Sequence, residues 1–202
     1  MEGSQGERPY PNRPKALLPV TTTGIATMLT LFQRKKAPPS AGTSRPGPAD
    51  VSKGLTRPQS AAELLATPRR QKLLEHIWQR TSLSRRQFAT LYLAPLERYA
   101  ELVQQFPASE AHHHAYPGGM LDHGLEIVAY ALKLRQSHLL PAGTTPEAQA
   151  AQAEAWTAGT AYAALLHDIG KVAVDLHVEY ADGTTWHPWH GPLQRPYRFR
   201  YR

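Results

Sequence analysis

Near the end of an apolar helical run, residues 162–171 (YAALLHDIGK) set His167 beside Asp168. A neutral imidazole and a carboxylate together suit a divalent first-row ion. Neighbours on a helix point about 100° apart, so both reach one ion only at an end or a bend, which Gly170 is expected to provide. His123 lies 44 residues earlier, towards the start of an amphipathic segment; alone it reads as a core histidine with satisfied hydrogen bonds, and its pairing with the later HDIGK favours a site residue. His112, His113 and His114 stand together before a Pro117-Gly118-Gly119 turn, a combination suited to a metal or a phosphate. Lys171 follows the pair and either neutralises a bound phosphate or caps a helix C-terminus. Tyr116 is either an attacking hydroxyl or an aromatic packed under the turn. The chain has no cysteine, which excludes thiolate ligands and disulfides. The remaining donors favour Mn, Fe or Mg, or a His-rich Zn site.

The elements that must carry these residues are mostly helical. Ser60 caps a short helix, and Thr67-Pro68 starts another with Leu73, Leu74, Ile77 and Trp78 on one side. Ser82 or Ser84 starts a third, with Phe88, Leu91, Tyr92 and Leu96 inward, and Pro95 should bend or break it because proline lacks the amide donor. A helix over residues 96–106 follows. Residues 119–139 place Leu121, Leu125, Val128 and Leu132 on one stripe, and the alanine-rich residues 146–166 suit close packing. After Gly170 the pattern alternates over residues 172–180, and Ala181-Asp182-Gly183 turns into residues 184–187, which predicts a β-hairpin.

Residues 1–59 differ in composition, with nine prolines, six glycines and a charge balance of +6, against +1 for residues 60–202. Such a stretch buries too little to offset its ordering entropy and reads as a disordered tail or linker. Its charge suits an anionic partner, nucleic acid or a membrane surface, and suits equally a solvated spacer. Residues 16–32 form an uncharged run interrupted by Pro19, Gly24 and threonines, fitted to peripheral membrane contact and not to a transmembrane helix. A cytoplasmic location, with membrane association through this run, is the expectation.

The order His123, then His167-Asp168-Ile169-Gly170-Lys171, resembles the HD superfamily of metal-dependent phosphohydrolases, which are helical bundles. Residues 112–126 (HHHAYPGGMLDHGLE), with the later residues 186–193 (WHPWHGPL), resemble the N-terminal domain of MobH-class, TraI-like conjugative relaxases. The resemblance covers residues 60–193. It implies a mainly α, HD-type bundle with a small β-hairpin, a divalent ion on His123, His167 and Asp168, and site roles for the three adjacent histidines. It implies strand nicking of DNA at an origin of transfer, in company with other conjugation proteins. The distant Asp that completes an HD site is not found. Only 34 residues follow Asp168, and Asp175 and Asp182 fall in the hairpin region, so a domain shortened at its C-terminus is expected. Two other readings stay open: a generic HD phosphohydrolase or nuclease acting on nucleotides or RNA ends, and a non-catalytic DNA-binding remnant.

Overall fold

A computed structural model describes residues 54–202; of the tail expected over residues 1–59, residues 1–53, with the membrane-contact run, lie outside the described residues, while Thr56 and Gln59 bond to Tyr197 and Gln104. The described chain is mainly α-helical with a small antiparallel sheet. Helix α1 (Ala61–Leu65) begins at a capping box in which Ser60 and Glu63 satisfy each other's backbone N–H. Helix α2 (Pro68–Trp78) starts at Thr67 with proline in its first turn, and α3 (Arg85–Phe88) at a second capping box, Ser84 with Gln87. Leu74, Ile77 and Phe88 are buried, and Trp78 meets Phe88 edge-on at 4.9 Å.

Pro95 does not break its helix. A π-helical turn, Ala89–Leu93, passes straight into α4 (Ala94–Val103). In an α-helix the residue at position 95 would donate to the carbonyl four residues back, Leu91. That carbonyl accepts instead from the Tyr162 hydroxyl at 2.5 Å. The helix stops at Val103, three residues before the expected end, because Gln104 turns to φ 45. The Gln104 side chain is buried and pairs with the Gln59 backbone, accepting at 2.8 Å and donating at 2.9 Å.

Helix α5 (Gly119–Arg135) buries Leu121, Leu125, Val128 and Leu132 as their spacing requires. Helix α6 (Pro146–Leu166) packs along α5, with Thr157, Ala161 and Leu165 buried at i, i+4 and i+8. The two form a helical hairpin, so the start of α5 lies beside the end of α6. Close packing needs Gly124: a Cβ there would meet the Tyr99 ring at 2.9 Å.

Residues 171–174 are helical (α7, Lys171–Val174), so the strand expected from 172 begins only at Leu176. Strands β1 (Leu176–Tyr180) and β2 (Thr185–Trp186) form the expected hairpin. A third strand, β3 (Tyr197–Tyr201), pairs with the other edge of β1 and was not foreseen. Tyr197 and Phe199 turn inward onto Phe106, while Arg198 and Arg200 are exposed. An antiparallel bridge joins Thr56 to Tyr197 and ties the first described residues to β3.

Candidate metal centre

At the C-terminal end of α6 the bonding tightens. His167 caps the helix, Ile169 N–H donates to Leu166 O at 3.2 Å, and Lys171 N–H donates to Asp168 O at 3.0 Å. These i→i+3 bonds wind the backbone more tightly than an α-helix and swing Asp168 round towards His167. Gly170 contributes no left-handed cap: its φ is −60, and it leads into α7. The bend expected at glycine is therefore a tightened turn.

His123, in the first turns of α5, completes the group. His123 Nε2 lies 3.3 Å from His167 Nε2 and 3.5 Å from Asp168 Oδ2, and His167 Nε2 lies 3.4 Å from that same oxygen. A point equidistant from the three atoms is about 2.0 Å from each, the length of a metal–imidazole or metal–carboxylate bond. His167 Nδ1 donates to Ala164 O at 2.7 Å, which leaves Nε2 of the neutral ring with a bare lone pair facing the other two donors. Donor types, spacing and tautomer thus fit a divalent cation.

Burial, and the charges of His114, His167 and His113, push the His123 pKa down despite Asp168. Burial acts to raise the Asp168 carboxyl, but the Lys171 hydrogen bond and the neighbouring His167, Lys171 and His123 outweigh it and hold the group below its ordinary value. Lys171 Nζ sits 2.7 Å from Oδ2, the oxygen that faces both imidazoles.

The histidine loop closes over α5. Ala108 N–H donates to His114 O at 3.1 Å, and Met120 N–H donates to Phe106 O at 2.9 Å. Gly119 is required there, since a Cβ would fall 2.0 Å from His114 O. The His113 and His114 rings approach His123 at centroid distances of 5.1 and 5.3 Å. His112 is exposed and joins the loop through its backbone N–H to Ser109 Oγ. Among the described residues the metal-compatible group is His123, His167 and Asp168; Asp175 and Asp182 lie outside it. Tyr116 donates to Asp122 Oδ2 at 3.0 Å and accepts from Arg69 at 3.2 Å, which commits its hydroxyl to the scaffold.

Four supporting residues were not singled out from the sequence. Asp122 and Arg70 form a buried ion pair at 2.6 Å that fixes α2 to the start of α5, and Arg70 also donates to Gly118 O at 3.2 Å. Glu126 accepts from Arg69 and bonds His114 Nε2 at 3.0 Å. The signal was present: Asp122 and Glu126 stand four apart on α5, around His123, and Arg69-Arg70 stand together on α2.

A family model, TraI_2, with the description "Putative helicase", matches residues 54–202. The chain belongs to this TraI-like, conjugative-relaxase-related family. No curated protein matches the chain. Among the described residues no helix is long and apolar enough to cross a membrane.

Proposed function

We propose that residues 60–202 are the metal-binding domain of a conjugative DNA relaxase of the HD type, which cuts one strand at an origin of transfer. The observation that carries this reading is the triangle of His123 Nε2, His167 Nε2 and Asp168 Oδ2, with sides of 3.3 to 3.5 Å. A divalent ion seated there, Mn, Mg or Fe, would polarise a phosphoryl oxygen and lower the pKa of a water or an attacking hydroxyl.

The chain's own residues supply the rest. Ala164 O fixes the His167 ring, and Lys171 orients the Asp168 carboxylate while setting a positive charge beside the place of the phosphate. His113 and His114 line the His123 side, with Glu126 holding His114; His112, at the exposed edge of the loop, faces incoming substrate. The partners that follow are DNA and other conjugation proteins, in the cytoplasm. The positive balance of residues 1–59 suits contact with an anionic surface.

A supercoiled-plasmid relaxation assay tests this, with Mn²⁺ or Mg²⁺ and plasmids with and without a candidate origin. Origin-dependent nicking is expected, abolished in His123→Ala and Asp168→Ala. Hydrolysis of free nucleotides without nicking under either metal would sink the proposal in favour of a generic phosphohydrolase.

A further inference from the structure

The tryptophan–histidine stretch after the hairpin has no part in the metal triangle. His187 keeps extended backbone directly after β2, with φ −132 and ψ 149. Alternation along the strand therefore sends its side chain away from buried Trp186, to the outer face of the sheet. In β1 and β3 that face carries His177 and Glu179, paired with Arg200 and Arg198. Continuing the β1–β2 register by one residue sets His187 opposite His177, so His187, His177 and Arg200 form one row across three strands.

Trp189 lies on this row's edge. Its ring is stacked on His187 at 4.3 Å with 7° between planes, yet the residue is 70% exposed. The indole is thus stacked on one imidazole and met edge-on by a second, His190, at 6.0 Å, while most of its surface stays open to solvent. Residues 184–202 contain four arginines and no acidic residue. Asp182 takes Arg195 and Glu179 takes Arg198, so the charges of Arg200 and Arg202 are not neutralised by these carboxylates.

We propose that this face binds single-stranded DNA, with a base stacked on Trp189 and the backbone phosphates on Arg200 and its neighbours. A flat aromatic face beside a positive row matches an unpaired nucleotide, whose base offers a π-face and whose phosphate offers a charge. Neighbouring strands lie about 4.8 Å apart, so the row from His187 to Arg200 spans about 10 Å, within reach of adjoining nucleotides. The choice of DNA rests on the relaxase reading; the surface itself does not depend on the metal.

The test is binding of a fluorescein-labelled oligothymidine to the full chain in EDTA, read by anisotropy, beside an abasic oligonucleotide of equal length and a duplex. Trp189→Ala should weaken oligothymidine binding about 5- to 100-fold and leave abasic binding unchanged, because stacking needs a base. Trp189→Phe should retain most of the affinity. Arg200→Ala should reduce the dependence of log affinity on log salt by about 0.7, one phosphate contact on a single strand. Unchanged oligothymidine binding in Trp189→Ala, or tighter binding of the duplex, overturns the proposal. With EDTA present that outcome is separate from the nicking assay, whose failure with oligothymidine binding intact would count against the metal reading alone.

Discussion

The hydroxyl of Tyr162 on α6 donates to the carbonyl of Leu91 at 2.5 Å, taking the place of the amide proton that Pro95 lacks. One side chain thereby lets a proline sit inside a continuous helical path. Tyr162→Phe should destabilise the protein by about 0.5–1.5 kcal/mol, the net worth of one hydrogen bond. In a Pro95→Ala background the loss should shrink, since an alanine amide can serve the same acceptor. Chemical denaturation of the four proteins measures the coupling, and strictly additive effects would count against the substitution of one donor for the other.

Divalent metal should bind at the triangle and stabilise the fold. A ligand at about a hundred times its Kd adds about 2.7 kcal/mol to a native state that alone binds it. Mn²⁺ is thus expected to raise the thermal midpoint of the parent, EDTA to reverse the rise, and His167→Ala to abolish it. Equal metal content and equal shifts in parent and variant would place any ion elsewhere.

Two glycines in the helical hairpin should respond in opposite directions to alanine. At Gly124 the new methyl would meet Tyr99 at 2.9 Å, and such overpacking costs about 1–3 kcal/mol. At Gly159, exposed on α6, nothing lies within 4 Å, so alanine should stabilise by about 0.5–1 kcal/mol through helix propensity. Thermal melts of both variants decide it.

The carboxyl of Asp182 is held down to about 2, chiefly by the backbone N–H of Thr184, with Arg195 assisting. A folded-state value below the unfolded one means that the turn's contribution is full above about pH 4 and is lost as pH falls towards 2. An NMR titration of the Asp182 side-chain carbon should show this low midpoint. Arg195→Ala should raise it only part of the way, because the Thr184 bond remains.

Much of this architecture was legible in the residues. Leu121, Leu125, Val128 and Leu132 announced the buried stripe of α5, and Ser60, Thr67-Pro68 and Ser84 announced helix starts through local capping chemistry. His123, His167 and Asp168 are brought together as their spacing suggested. What escaped depends on tertiary partners. Pro95 read as a breaker because Tyr162, 67 residues later, was invisible from the local pattern. Val172 and Val174 read as strand because they stand at the head of an alternating stretch that continues through Leu176 and Val178, and the α7 turn they adopt follows from the tightened end of α6. Strand β3 was hidden by its arginines, although the inward Tyr197 and Phe199 alternate with Arg198 and Arg200 in a period of two.

The bridge between Thr56 and Tyr197 bears on the order in which the molecule assembles. The α5–α6 hairpin joins segments close in sequence, whereas this bridge closes a loop of 141 residues with two backbone bonds of 2.7 and 2.9 Å. Local contacts form with little loss of chain freedom, and distant ones wait until the intervening chain is already compact. His123, His167 and Asp168 are therefore expected to come together early, on a helix pair that needs no sheet, and the Thr56–Tyr197 bridge to close late.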